Sequence, residues 1–176
     1  MDRKAKDEIF SEWVNHYYEY GFRIAFRIVG VEEDCRDILQ DAFLKVWLRF
    51  ESYNNKVKFS TWLFTIITNL CFDRLRKKKT IAGYGERFEY SSTDEEASPE
   101  TLMIDKDIRT VLNTLSEKLS PKQKIVFVLR DLEELGMDEV CTITNMSAEQ
   151  VKANLYHARK TIRENLVYLK LLEEKI

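Results

Sequence analysis

"MDEVCTITNMSAEQVKANLYHARKTI", Met137 to Ile162, reads as a short helical run to Thr144, a break at Asn145 and Met146, and a longer helix opened by Ser147. Gln150 stands three residues after Ser147, the spacing of a capping box. A short helix, a tight turn and a longer helix make a helix-turn-helix. At about 100° per residue, Val151, Leu155, Ala158, Ile162 and Leu166 fall on one narrow stripe and are expected to be buried. Glu149, Ala153, Tyr156, His157 and Lys160 lie opposite, flanked by Gln150 and Lys152. From Ser147 to Lys170 five basic residues (Lys152, Arg159, Lys160, Arg163, Lys170) stand against two acidic ones (Glu149, Glu164). A solvated helix face or a DNA-reading face would each explain that composition. The tight turn in front of it favours the second, with the first turns at base edges and the later cations at phosphates.

Outward from this motif, 176 residues can hold one domain or two small ones, and an apolar fraction of 44% is enough for a real core. Lys and Arg number 28 against 30 Asp and Glu, a formal net charge of -2. The chain as a whole is therefore no polyanion binder by charge alone, and its charge has to be read by segment. Cys35, Cys71 and Cys141 are odd in number and far apart, and there are only two histidines. A disulfide framework or a zinc site is not expected, which points to a reducing cytoplasm. No run of eighteen apolar residues exists and the N-terminus lacks the apolar centre of a signal peptide, so no membrane insertion is expected.

Five glycines and two prolines divide the chain into helical segments, and almost nothing reads as strand. The periodicity predicts helices over about Asp7–Val29, stopped near Gly30, then Glu32–Phe50, and Phe59–Lys79 entered through Ser60 or Thr61 as a cap. Between Thr80 and Asp105 the pattern breaks. Gly83, Gly85, Ser91, Ser92 and Pro99 interrupt it, and Glu86, Glu89, Asp94, Glu95, Glu96, Glu100 and Asp105 face only Arg87. That composition is an acidic, flexible linker. Helical periodicity returns over Met103–Leu119 and again from Pro121, behind Ser120, to Leu132. The expected fold class is all-α: two small helical domains, 1–79 and 106–176, joined by a flexible acidic linker at 80–105, the C-terminal one containing the helix-turn-helix.

The third helix is apolar almost all round. Trp62, Leu63, Ile66 and Leu70 make one face, and Phe64, Cys71 and Leu75 nearly the opposite one. A thin polar stripe remains, Thr65, Asn69 and Arg76 with Asp73 at its edge. The helix ends in "DRLRKKK", bringing Arg74, Arg76, Lys77, Lys78 and Lys79 together, and begins beside "SYNNKVKFSTW". Aromatic rings, amides and cations in one neighbourhood suit single-stranded nucleic acid, and they equally suit a core helix with a solvated basic end. On the second helix, Leu39, Ala42, Val46 and Phe50 form the core side, while Leu44 and Trp47 sit round near Asp37, Gln40 and Asp41. Either a protein interface or cover by another helix of the same domain accounts for Trp47.

With "DILQDAFLKVW" and "FSTWLFTIITNLCFDRLRKK" added to the helix-turn-helix, the chain resembles the bacterial extracytoplasmic-function sigma factors of the sigma-70 family from about Ile9 to Leu166. The resemblance implies a sigma factor, not an enzyme, that binds the RNA polymerase core and directs promoter recognition and melting. It further implies contacts to the clamp of the beta-prime subunit and the flap of the beta subunit, promoter DNA as a second partner, an anti-sigma factor, and no cofactor. Carried onto this sequence, Asp37, Gln40, Asp41, Phe43, Leu44 and Trp47 match the core-binding stretch. Asn54, Lys56, Lys58, Phe59, Ser60, Thr61, Asn69, Arg76 and Lys77 match the part that takes the melted −10 element. Lys152, Ala153, Asn154, Tyr156, His157, Arg159 and Lys160 match positions that face the −35 duplex. The acidic linker resembles the segment that threads the polymerase near its active site and RNA exit path.

Departures from the pattern concern the turn and the reading positions. "EVCTITNM" replaces the commoner Glu-Ile-Ala-x-x-Leu-Gly type of turn, with Asn145 where glycine is usual, and asparagine tolerates the left-handed backbone required there. Relatives often carry Arg or Ser where this chain has Lys152, Ala153, Asn154 and His157, so the promoter sequence does not transfer. A freestanding helix-turn-helix regulator, reading two half-sites as a dimer, is the alternative. An enzyme finds little support: the sequence has no Gly-rich phosphate loop, no metal-ligand cluster and few histidines, and so offers neither catalytic nor metal-binding residues.

Overall fold

A computed structural model of the chain describes residues 3–82 and 118–173, and every regular element among them is helical. Helix α1 spans Arg3–Val29, α2 Glu32–Leu48, α3 Phe59–Ala82, α4 Pro121–Phe127, α5 Met137–Thr144 and α6 Ala148–Glu173. The acidic segment expected from 80 to 105 lies outside the described residues beyond Ala82, to which α3 extends. The helix expected over Met103–Leu119 lies outside them too, except for Lys118 and Leu119, which form a turn.

Local chemistry sets most boundaries. Gly30 closes α1 with a positive φ of 79° while its N–H donates to the Phe26 carbonyl at 2.8 Å. Glu32, Glu33 and Asp34 place three carboxylates at the electropositive start of α2. That helix ends at Leu48, short of the expected Phe50, because a 3-10 turn over Phe50–Ser52 swings Phe50 into the core, stacked 4.9 Å from Trp13. Neither Ser60 nor Thr61 caps α3: its first bond runs from the Trp62 N–H to the Lys58 carbonyl, and the Thr61 hydroxyl is used elsewhere. Ser120 and Gln123 form a capping box ahead of α4, with Pro121 at the first helical position. The run expected to stay helical to Leu132 instead widens into a π-helical turn over Val128–Leu132, closed by the Glu133 N–H on the Val128 carbonyl at 2.9 Å.

Helices α1, α2 and α3 pack on one another with Ile24, Ile28, Leu39, Val46, Leu63 and Ile67 fully buried. Gly21 lets them converge, since a Cβ there would lie 2.8 Å from Ile67 Cδ1 and 3.0 Å from Leu39 Cδ1. In the C-terminal half, α4 and α5 pack on α6 around Val126, Leu129, Val140 and Ile143. Of the stripe of α6 read from the sequence, Val151, Leu155, Ala158 and Ile162 are buried as expected, and the Leu166 side chain lies outside the described residues.

The two halves also meet. Both α4 and α5 pack on α3, the π turn reaches α1, and the buried apolar residues form one continuous cluster. Lys124 of α4 sits in this seam, only 2% exposed, within electrostatic reach of Cys71 and Lys78 on α3 and Cys35 on α2. Burial first, and then the Lys78 ammonium, lower its pKa from 10.5 to about 8. No carboxylate among the described residues forms an ion pair with it.

Candidate nucleic-acid interface

Three surfaces bring the candidate residues together. The first is the outer face of α6. Asn145 adopts the left-handed backbone that the turn demands, with φ 54° and ψ 37°, so α5 and α6 meet across a tight corner. Ser147 and Gln150 then satisfy each other's backbone N–H groups at 3.3 and 3.0 Å, the expected capping box. Lys152, Ala153, Tyr156, His157 and Lys160 are exposed on this face, with the Tyr156 and His157 rings edge to face at 5.5 Å. Asn154 is half-buried and donates its Nδ2–H to the Gln150 carbonyl at 2.8 Å.

Arg159, expected to hold a phosphate, is exposed and already has a protein partner. Its guanidinium is gripped by Asp131 of the π turn through Nε at 2.8 Å and a terminal nitrogen at 2.6 Å. That planar two-point bond raises the Arg159 pKa and makes the residue a strut between α6 and the π turn. Lys152, Lys160 and Arg163 are exposed cations along the helix, the Lys160 ammonium lying 4.0 Å from the Glu164 carboxylate.

The second surface joins the Tyr53–Lys58 loop to α3. The loop is held by the Tyr53 hydroxyl donating to the Val57 carbonyl at 2.9 Å and by the Asn54 Oδ1 accepting the Lys56 N–H at 3.1 Å, with Asn55 left-handed at φ 57°. Tyr53 stacks on Trp62 at 5.0 Å, and Trp13 stacks on Phe59 at 4.0 Å. Asn54, Lys56, Lys58, Asn69, Arg76 and Lys77 are exposed, and Ser60 is half-buried. Two candidates are not surface residues. Phe59 belongs to the aromatic core, and Thr61, 5% exposed, donates its hydroxyl to the Glu139 Oε1 of α5 at 2.9 Å. The basic end of α3 is partly committed as well. Arg74 and Lys78 both pair with Asp34 of α2 at 2.6 Å, and Arg76 lies 3.6 Å from Asp73.

The third surface is on α2. Gln40 and Asp41 are exposed, Asp37 is exposed and 3.6 Å from Arg74, and Leu44 is 54% exposed. Trp47 is half covered by α1, with the Lys6 ammonium 4.3 Å from its ring and Phe10 at 5.1 Å. Phe43 is buried in the core beside Tyr18 and Phe10, so it can support this surface only from beneath. Leu48, 72% exposed, was missed by sequence reasoning although it stands one helical turn beyond Leu44. Leu44, Trp47 and Leu48 thus make one apolar patch between acidic and amide groups.

Comparison with known proteins is consistent along the chain. Residues 13–81 match the Sigma-70 region 2 family, and residues 109–162 match Sigma-70 region 4. The ECF RNA polymerase sigma factor SigW of Bacillus subtilis is 29% identical over 172 residues, spanning 93% of this chain and 92% of that protein. The RNA polymerase sigma factor SigV of the same organism is 30% identical over 146 residues, covering 82% of this chain and 83% of SigV. Among solved structures, the sigma factor RpoE of Bartonella quintana, in complex with the anti-sigma factor NepR, superposes with a TM-score of 0.71 at 18% identity. It covers 90% of this chain and 97% of that one.

Proposed function

Because this chain belongs to the sigma-70 family as an extracytoplasmic-function sigma factor acting in transcription initiation, we propose how its surfaces divide that work. The α2 patch of Leu44, Trp47 and Leu48, with Gln40 and Asp41, docks on the clamp of the core polymerase, and the C-terminal half meets the flap. The Tyr53–Lys58 loop with Asn69 takes the melted −10 strand. The outer face of α6 reads the −35 duplex. One observation carries this division: three exposed surfaces of different chemistry stand on one small chain. One is apolar, one is aromatic and amide-rich, and one is a cationic helix behind a tight turn. A dimeric regulator needs no separate docking patch and no single-strand platform. The protein works in the cytoplasm without chemistry of its own, and an anti-sigma factor is a further partner, as it is for the Bartonella relative.

In vitro transcription from a randomised −35 library, with core polymerase and wild-type, Lys152→Ala or Lys160→Ala chain, tests the α6 assignment. Lys152 stands in the second turn, where a lysine can donate to both guanine acceptors in the major groove. Its loss should cost about 1–3 kcal/mol at one base position and relax preference there. Loss of Lys160 should weaken every sequence alike and flatten the salt dependence by about one unit. A Lys152→Ala holoenzyme with full wild-type base preference would remove this lysine from the reading set.

Asn69 is the exposed amide on the polar stripe of α3. A short amide can bond the edge of an unstacked base, whereas alanine leaves that edge unpaired, at a cost of about 1–3 kcal/mol. Asn69→Ala should therefore reduce promoter opening roughly tenfold or more while the melting temperature stays near wild type. Permanganate footprinting of the open complex reads this directly, and normal opening by the variant would exclude the role.

A further inference from the structure

The seam between the halves is built on carboxylates from one side and on cations, a hydroxyl and an aromatic ring from the other. Glu133, whose side chain is 2% exposed, follows the π turn and sits in a fork of two α1 arginines. Its Oε2 lies 3.1 Å from Arg23 and its Oε1 2.6 Å from Arg27. Arg27 also donates to the Leu132 carbonyl at 2.8 Å. Glu139 of α5 takes the Thr61 hydroxyl. Tyr20 lies among these groups, with the Arg23 guanidinium 4.5 Å from its ring and Phe64 at 4.8 Å. Its hydroxyl pKa is raised by burial first, then by the Glu133 carboxylate, with Glu139 acting in the same sense. Two anions of the helix-turn-helix half therefore face one patch of the N-terminal half, in which Thr61 is buried, Arg27 nearly so, and Tyr20 and Arg23 remain partly exposed.

Uncovered, that patch would present an aromatic ring, two guanidinium groups and a hydroxyl beside the Tyr53–Lys58 loop through Thr61. These are the groups that hold a single strand: a ring to stack on and cations along the backbone. We propose that Tyr20, Arg23, Arg27 and Thr61 form a further contact for the melted DNA strand, masked in the closed chain by Glu133 and Glu139 standing where phosphates would lie. The inference rests on the assignment of the Asn54–Thr61 stretch to that strand.

Closure also carries an electrostatic cost. Closing the seam buries Lys124 against Lys78, Cys71 and Cys35, while the nearby Asp34 is already paired to Lys78 and Arg74. A hydrated lysine holds its proton to about pH 10.4. With a pKa of about 8 in the closed chain, closure is strongest above the hydrated value. It weakens as the pH falls toward 8 and pays a constant penalty below it.

The test uses the full chain with Glu133→Gln/Glu139→Gln, with Arg23→Ala/Arg27→Ala, and with Glu139→Gln alone, the variant least able to disturb folding. Small-angle scattering reads opening, circular dichroism reads helicity, and anisotropy of a labelled random-sequence 12-nucleotide single strand reads binding. Both double variants should increase the radius of gyration at unchanged helicity. Only the carboxylate pair should bind the strand about tenfold more tightly than wild type, with a steeper salt dependence, and Glu139→Gln alone should move the same way by a smaller factor. The arginine pair should open without gaining affinity. A carboxylate variant that opens with no gain in binding, a gain shared equally by the arginine variant, or a Glu139→Gln chain indistinguishable from wild type would each overturn the proposal. Transcription by the wild-type holoenzyme is measured in parallel, so that failure of the sigma-factor surfaces is told apart from failure of the mask.

Discussion

A Leu44→Ala/Leu48→Ala chain should lose affinity for the RNA polymerase core by about 100-fold or more while melting at nearly the wild-type temperature. Both leucines are more than half exposed, one turn apart on α2, beside a Trp47 already propped by Phe10 and Lys6. Apolar anchors at the centre of an interface each carry about 2 kcal/mol or more, and at about 1.4 kcal/mol per decade two of them account for the loss. Truncating exposed side chains away from special features changes stability by only about 0.5 kcal/mol. Titration of labelled core polymerase, paired with a circular dichroism melt, separates the two effects. A collapsed melting temperature with unaltered core affinity in the folded fraction would return the patch to the protein's own packing.

Phe22→Ala should be the most destabilising of these changes. Phe22 is fully buried in α1, lying between the Tyr18 and Phe26 rings at 6.4 and 6.2 Å. Removing a buried phenylalanine costs about 3–5 kcal/mol, a large share of the roughly 5–15 kcal/mol that holds a domain folded. At about 2–4 °C per kcal/mol for a chain of this size, the melting temperature should fall on the order of 10 °C. Because the apolar cluster runs from α1 through α3 into α4 and α5, calorimetry should show the C-terminal half shifting in the same transition. An unshifted second peak from that half would show that the seam contributes no shared stability.

The residues that the sequence alone made legible are those governed by local chemistry. Ser147 with Gln150 marked the start of α6, Ser120 with Pro121 that of α4, and Gly30 the end of α1. Each of these acts on backbone groups within a few residues of itself. Asn145 in the left-handed turn and the buried seam of α6 followed for the same reason, since a helical period is written in consecutive residues. The all-α class, the helix-turn-helix and the resemblance to sigma factors were all within reach of that reading.

What lay beyond it depends on partners distant in the chain. The resemblance carried Phe43 and Phe59 onto contact positions, and periodicity does not show what covers an apolar residue; both are core. Arg159 read as a phosphate ligand with no partner of its own, yet its guanidinium is bonded to Asp131, 28 residues earlier. Thr61 read as a cap or a DNA contact, yet its hydroxyl meets Glu139, 78 residues on. A signal was present: α3 is apolar on two nearly opposite faces, more than one small three-helix unit can bury. The second set of neighbours that this demands is α4 and α5, which bring Lys124 against Cys71 and Glu139 against Thr61. The choice of that cover belonged to the tertiary structure alone, because an apolar face is satisfied by any surface of fitting shape, whereas a cap is satisfied only by its own backbone.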